Sequence, residues 1–231
     1  GSVMKSNNDH GYSFDGKTLF ISSGKPEIKG GSSFIYKVGA EGGEPVQLTP
    51  LSPSYWHGVS PDGKSYSYLK LQDKKQNLFV EDIATGSVVQ LTKLQEKNIS
   101  FHSWVSDNEL IYYKEKEGVR FQSDIFIINK EGKDERQLST NAKARIRVLE
   151  DQLIDNKYLL VLSNQRDSTV SDVYRLNVRD GEMQIVAQNP GNITNWMTDN
   201  KGKLRMAIAS DGVNQTFLYR VSETQNFKAI I

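Results

Sequence analysis

The chain has 231 residues, of which 37% are hydrophobic and 25% charged, with no cysteine and a net charge of +1. This balance is typical of a soluble globular protein, and it excludes a disulfide framework, a zinc-thiolate site and a bulk attraction to nucleic acid. No apolar run reaches the ~18 residues of a membrane-spanning helix, and no secretory signal is evident, which leaves the compartment open.

The most regular feature of the chain is a repeat of ~45 residues. The phrase Ser13-Phe14-Asp15-Gly16-Lys17 returns as Ser60-Pro61-Asp62-Gly63-Lys64, and shorter forms lie near Ser106, Asp155 and Asp199. Two apolar runs follow each copy, and Gln-Leu-Thr or Gln-Leu-Ser closes the first three units. A strand-built repeat of this length predicts an all-β chain, a five-bladed β-propeller of four-stranded antiparallel blades.

The predicted elements follow this repeat along the chain. Residues 1–8 form an N-terminal segment whose Gly-Ser start resembles a cloning remnant, and residues 9–231 are expected to form one propeller domain. Its predicted blades are 9–50, 54–97, 98–141, 144–188 and 189–231. The predicted strands of the first two blades are 10–14, 18–22, 33–38, 45–48, 56–59, 65–69, 77–82 and 88–91.

The remaining three blades continue the same pattern. Residues 142–153 have a composition that suits a short helix, but their place in the repeat favours an inner strand. The predicted strands are 101–105, 109–113, 124–129, 135–138, 145–150, 158–162, 173–178, 183–186, 193–197, 204–209, 216–221 and 227–231.

Two family resemblances meet at the Ser-Pro-Asp-Gly-Lys phrase. Residues 7–64 resemble TolB-like propeller proteins, through the segments 8–17, 42–49 and 53–64. Residues 60–231 resemble the first half of the propeller domain of S9-family (prolyl-oligopeptidase-like) serine peptidases. The matching segments are 60–64, 68–70, Ser163-Asn164-Gln165-Arg166-Asp167, 172–177, Asn189-Pro190-Gly191-Asn192-Ile193, 196–199, 211–214 and 218–220.

The chain departs from the peptidase family because its 231 residues contain no Gly-x-Ser-x-Gly nucleophile elbow, the motif of the hydrolase domain that follows the propeller in that family. We therefore interpret it as a mosaic of one TolB-like blade and four peptidase-propeller blades, and its blade-bounded ends favour an engineered origin. Such resemblances imply a gating or protein-docking propeller and no enzyme activity.

All three histidines occupy the same position in consecutive units. His10, His57 and His102 each lie five residues before the turn residue of their unit, and Glu150 takes that place in the fourth. Inner strands of a propeller line its central channel, so these side chains are expected to face it. Three imidazoles and a carboxylate are a ligand set for a divalent metal ion. The alternative, which we favour, is a set of polar groups bound to water and backbone, with no cofactor required.

Other reactive residue types are explained by turn chemistry. Ser60, Asp62 and Ser106 lie near His57 in sequence, but this proximity does not make a catalytic triad. The repeated aspartates resemble calcium ligands, yet aspartate also caps β-turns, which is the favoured interpretation. Trp56, Trp104 and Trp196 are expected in the core between blades.

Three functions remain open from the sequence. The first is a non-catalytic scaffold that docks a protein or peptide, with no nucleic-acid or membrane partner. The second is a truncated gating domain of an S9 peptidase, and the third is a propeller that binds a metal or small ligand in its channel. A closed ring predicts a monomer, and open blade edges predict a homo-oligomer.

Overall fold

The computed structural model describes residues 5–13, 15–25, 28, 32–49, 54–72, 74–116, 123–139, 141, 143–199 and 201–230, with side chains for all of these except 5–9, 54–57 and 151–152. Within these residues the structure is entirely β-strand, turn and loop, so it contains no helix of the length and apolarity that crossing a membrane requires. The strands form five four-stranded antiparallel sheets in chain order. The predicted all-β, five-bladed propeller of four-stranded antiparallel blades is confirmed.

Each sheet is a meander in which every strand pairs with the next along the chain. The first sheet contains β1 (Lys5–Tyr12), β2 (Thr18–Gly24), β3 (Phe34–Gly39) and β4 (Val46–Gln47). The second contains β5 (Ser54–Val59), β6 (Ser65–Gln72), β7 (Lys75–Asp82) and β8 (Val88–Gln90). The third contains β9 (Ile99–Trp104), β10 (Glu109–Glu115), β11 (Ser123–Asn129) and β12 (Arg136–Gln137).

The last two sheets have the same order. The fourth contains β13 (Ile146–Ile154), β14 (Tyr158–Ser163), β15 (Asp172–Asn177) and β16 (Met183–Ala187). The fifth contains β17 (Ile193–Thr198), β18 (Leu204–Ser210), β19 (Gln215–Tyr219) and β20 (Lys228–Ala229). Residue contacts divide the chain into two compact units, Gly1–Phe121 with Phe126–Arg136, and Gln122–Ile125 with Gln137–Ile231.

Each unit buries apolar side chains between neighbouring sheets. In the first unit, Phe20 of β2 joins Tyr66 of β6 in one cluster, and Leu69 of β6 joins Trp104 of β9 in another. In the second unit, Leu160 of β14 packs with Trp196 of β17. Large aromatic side chains contribute much of the area removed from water in such layers. The expected core positions of Trp104 and Trp196 agree with their burial, and the Trp56 side chain lies outside the described residues.

The Asp-Gly phrase of the repeat folds into a turn held by its own side chains. The Ser60 hydroxyl donates to Asp62 Oδ1 at 2.6 Å and accepts from the backbone N–H of Ser65 at 3.0 Å. Asp62 Oδ1 also accepts from the Lys64 N–H at 3.1 Å, and Gly63 has a φ of 71°. The first repeat has the same arrangement, beginning at Ser13. Because the carboxylate caps the turn, turn chemistry accounts for the repeated Ser-x-Asp-Gly pattern.

The Gln-Leu-Thr or Gln-Leu-Ser ending has an equally local cause. In each of the first three repeats, the threonine or serine hydroxyl of this ending accepts a hydrogen bond from a backbone N–H near the start of the third strand. These pairs are Thr49 with Ile35, Thr92 with Leu78 and Ser139 with Ile125, each at 2.9 Å. We call this contact the hydroxyl clasp; it fixes the end of the fourth strand to the third and so closes the blade.

A buried carboxyl group lies in the second sheet. Glu81 of β7 is directly opposite Tyr66 of β6 and is only 9% exposed. Burial raises the pKa of Glu81 above its ordinary value, and this effect outweighs the opposing influence of the nearby Tyr66 hydroxyl. The folded state therefore binds a proton here more tightly than the unfolded chain does.

We expect Glu81→Gln to increase stability at pH 8 by up to about 1 kcal/mol and to have little effect at pH 4. Because the folded pKa is raised, the contribution of Glu81 is fully present below its unfolded pKa and is lost as pH rises through the folded pKa. Urea unfolding at pH 4, 6 and 8 measures this difference, with the exposed Glu131→Gln as control. A difference between Glu81→Gln and wild type that does not grow with pH would contradict the prediction.

Candidate functional site

The structure places the predicted metal-site residues in different surroundings. His10 is exposed on β1, whereas His102 on β9 is fully buried with Nε2 2.9 Å from the Ser67 hydroxyl of β6. His57 belongs to β5, and its side chain lies outside the described residues. Glu150 of β13 is half-buried and accepts a hydrogen bond from the Thr198 hydroxyl at 3.0 Å.

In the part of the chain that the structure describes, no group of three or more histidine, aspartate or glutamate side chains comes together in a way that could hold a metal ion. The four-residue site as a whole remains a prediction, because it depends on His57. Zinc titration of the protein by calorimetry at neutral pH tests it: a single stoichiometric site would support it, and absence of heat would contradict it.

Ser67 and His102 have the separation of a nucleophile and its general base. Both side chains are 0% exposed, within the contact between the second and third sheets. A substrate cannot reach a hydroxyl that is closed off on all sides, so this pair serves packing. The serines named from the sequence are engaged elsewhere: Ser60 in its turn, and Ser106 as an acceptor for the Glu109 N–H at 3.1 Å.

A polar cavity lies at one end of the fourth sheet. Because β14, β15 and β16 are antiparallel neighbours, the loops 164–171 and 188–192 leave the sheet at the same end. Together they line a cavity of about 270 Å³ that is open to solvent on one side. We call these two loops the paired-loop surface. Its lining includes Arg166, Asp167, Thr169, Val170, Gln188 and Pro190.

A bidentate ion pair forms the base of this surface. Arg166 donates from Nε to Asp172 Oδ2 at 2.6 Å and from Nη2 to Asp172 Oδ1 at 2.9 Å. The Asp172 side chain is fully buried, while that of Arg166 is 38% exposed. Burial raises the pKa of Asp172, but hydrogen bonds from Arg166 and from a backbone N–H outweigh it and hold the pKa below its ordinary value. Asp172 is therefore ionised at neutral pH and fixes the guanidinium in one orientation.

Asn189 connects the ion pair to the second loop. Its N–H donates to Asp172 Oδ1 at 2.7 Å, and its side-chain oxygen accepts from the N–H groups of Gly191 and Ile193 at 2.9 and 3.0 Å. Arg166 Nη2 also donates to the Asn189 carbonyl at 3.2 Å. Gly191 has a φ of 119°, a conformation that favours glycine. These contacts hold both loops on one buried carboxylate, so the cavity walls are preorganised.

The paired-loop surface occurs where the fourth repeat departs from the common pattern. This repeat ends in Ala187-Gln188-Asn189 and lacks the closing hydroxyl. Asp172, at the start of the third strand, instead accepts the N–H of Asn189, which reverses the direction of the hydroxyl clasp. Sequence reasoning missed this site, although the absence of a closing Gln-Leu-Thr from the fourth repeat was visible in the chain.

Comparisons with known proteins agree on the fold. No family model matches the chain. An uncharacterized protein of Agrobacterium fabrum is 41% identical over 92 residues, which are 40% of this chain and 30% of that protein. A structure described as TolB from Agrobacterium tumefaciens is 26% identical over 78% of this chain and 64% of that one, with a TM-score of 0.59. A prolyl endopeptidase structure is 12% identical, covers 99% of this chain and 35% of its own, and has a TM-score of 0.74.

The chain thus resembles both groups of propellers that its sequence suggested. It spans less than a third of the curated relative and about a third of the peptidase structure. At 12% identity the peptidase match shows the fold alone. A join between two families at Ser-Pro-Asp-Gly-Lys remains a prediction, as do the mosaic and engineered origins.

Proposed function

We propose that this chain is a non-catalytic β-propeller scaffold that docks extended peptide segments of a protein partner on its paired-loop surface. The observation that carries this proposal is the cavity of about 270 Å³ between two loops held by one buried carboxylate. Preorganised loops lose little conformational entropy on binding, so more of the contact energy appears as affinity. Loops on a rigid scaffold are also where binding residues concentrate in proteins.

The non-catalytic part of this proposal is supported by the burial of the side chains that could act as a nucleophile and base. Among the described residues, the serine and histidine that come within hydrogen-bond distance are Ser67 and His102, and this pair is sealed from solvent. The Arg166–Asp172 pair has no hydroxyl or thiol nucleophile within its hydrogen bonds other than the phenolic group of Tyr174, 3.4 Å from Asp172 and buried with it. The cavity therefore offers recognition by charge and amide groups.

Panning a library of random heptapeptides against the purified chain, followed by calorimetry on capped synthetic peptides, tests the docking function. We expect Gln188→Trp to abolish binding of the selected peptides because the indole fills the cavity. Gln184→Trp, also exposed but on β16 outside the cavity lining, should leave binding unchanged.

The same proposal fails if selected peptides bind both tryptophan variants equally, since binding would then lie elsewhere. It also fails in its non-catalytic part if the wild-type chain releases p-nitroaniline from peptide anilides above the buffer rate. Ser67→Ala is the control for that assay, because loss of turnover in it would assign the activity to the buried pair.

A second candidate is the gating propeller of a serine peptidase. The peptidase structure matches 99% of this chain, which favours this candidate as far as a shared fold can. Adding the chain to a separately purified S9 catalytic domain distinguishes the two: restricted cleavage of large but not small substrates would support gating.

A further inference from the structure

The charge of Arg166 is compensated within the paired-loop surface. Nε and Nη2 of Arg166 both donate to Asp172. Asp172 accepts two further hydrogen bonds, from the Asn189 N–H at 2.7 Å and from the Tyr174 hydroxyl at 3.4 Å. A guanidinium and a carboxylate held in this bidentate way act together as a neutral group. An anionic ligand therefore gains little from Arg166.

Asp167 leaves the site with a net negative charge, because the one guanidinium of Arg166 pairs with Asp172 and is also near Asp167, so one cation faces two carboxylates. Its Oδ1 accepts from the Thr169 hydroxyl at 2.7 Å and from the Thr169 N–H at 2.9 Å. These hydrogen bonds, with a smaller contribution from the charge of Arg166, hold the pKa of Asp167 below its ordinary value, so the group is ionised at neutral pH. Among the described residues Oδ2 of Asp167 accepts no hydrogen bond, which leaves that oxygen to a ligand.

The remaining walls of the cavity combine apolar and amide groups. Val170 and Pro190 present hydrocarbon, and Gln188 presents an exposed carboxamide. A lysine side chain has the matching construction, since its methylene stem covers apolar surface while its ammonium group seeks an acceptor. A volume of about 270 Å³ is enough for one such side chain.

We infer that the cavity between the loops 164–171 and 188–192 receives a lysine side chain of an extended peptide, with Asp167 as the acceptor for its ammonium group. This inference rests on the proposed docking function and specifies its ligand. The peptide backbone lies across the loops, and the lysine gives the surface its selectivity.

Nuclear magnetic resonance titration with designed peptides tests the inference. The probe is a capped heptapeptide with one central lysine between threonine and alanine residues, and two matched peptides carry norleucine or glutamate in its place. We expect the lysine peptide to shift the backbone amide signals of residues 166–170 and 188–191. It should bind about fivefold more tightly than the norleucine peptide at low salt, and the difference should shrink with added salt.

A pair of protein variants locates the charge that is responsible. Asp167→Asn keeps an oxygen for Thr169 but removes the charge, so it should equalise the lysine and norleucine peptides. Asp180→Asn is the control, because Asp180 caps a turn in the same way at the opposite end of the sheet. It should preserve the difference.

The outcomes separate this inference from the docking function. Equal binding of the lysine and norleucine peptides by the wild-type chain would overturn the inference while docking stands. Tighter binding of the glutamate peptide would also overturn it, and would assign anion recognition to Arg166. Failure of every library-selected peptide to bind would instead remove the docking function. The peptide series uses the unchanged protein, so it tests the inference even if Asp167→Asn does not fold.

Discussion

Replacing Asp172 by asparagine is expected to lower the free energy of unfolding by about 3 kcal/mol at pH 7. The asparagine amide cannot accept both hydrogen bonds of Arg166, and it places an N–H group against another donor. The Asn189 N–H, itself in a buried residue, also loses a charged acceptor. Urea unfolding monitored by circular dichroism measures the loss.

The same substitution should remove part of the acid sensitivity of the protein. Because the folded pKa of Asp172 lies below its unfolded value, its contribution is present above the unfolded pKa and is lost as pH falls through the folded pKa. Wild type and Asp172→Asn should therefore converge in stability as pH falls below about 4. The exposed Asp180→Asn is the control, expected to cost less than about 1 kcal/mol. Equal losses in the two variants would show that the ion pair contributes no more than an exposed turn carboxylate.

Replacing Trp104 by alanine is expected to cost about 3 to 5 kcal/mol. The indole is 5% exposed and belongs to the cluster that joins the second and third sheets. It also lies so close to the second sheet that a Cβ added at Gly58 would be 3.3 Å from Trp104 Cδ1. Truncation removes the indole contacts and leaves a cavity between the two sheets, around which the structure relaxes only in part. Chemical unfolding of the variant gives the loss.

Two controls show whether the loss at Trp104 comes from packing. Trp104→Phe should cost much less than Trp104→Ala, because it keeps most of the ring and the indole N–H has no described hydrogen-bond partner to lose. Phe101→Ala, on the same strand, should cost under about 1 kcal/mol, because Phe101 is 43% exposed. A loss at Phe101 as large as that at Trp104 would contradict the assignment of Trp104 to the core.

Most of the fold was predictable because its signals are local. The Ser60–Asp62 turn and the Thr92 hydroxyl clasp each use side chains that bond to backbone a few residues away or to the neighbouring strand. These residues mark strand ends directly, so their repetition gives the number and order of the strands. Residues 142–153, whose composition also suited a helix, contain most of β13, as the repeat indicated.

Strand ends without such a marker were predicted less well. β1 begins at Lys5, inside the segment 1–8 that the sequence placed outside the first blade. It reaches that far because Lys5 pairs with Gly24, the last residue of β2. β20 comprises Lys228–Ala229, shorter than the predicted 227–231, since an outer strand pairs on one side and has less to hold its ends.

The candidate site was less predictable than the fold because it depends on two loops that are distant in sequence. Arg166 and Asp167 were part of a family resemblance, but nothing local indicated that Arg166 bonds Asp172 or that the 188–192 loop lies beside both. The three histidines show the converse. Equal spacing from a turn placed them on equivalent strands, yet His10 is exposed and His102 is buried against Ser67.

The sequence by itself determined the all-β class, the five four-stranded blades and the turns between strands, because each depends on periodicity and on hydrogen bonds formed within a few residues or between adjacent strands. Only the tertiary structure decided which polar side chains are exposed, paired or buried, because these properties depend on what the neighbouring sheet and loop place against them. Asp172 illustrates the difference: its sequence position marks the start of a strand, while its role as the buried base of the paired-loop surface comes from Arg166 and Asn189 arriving from two separate loops.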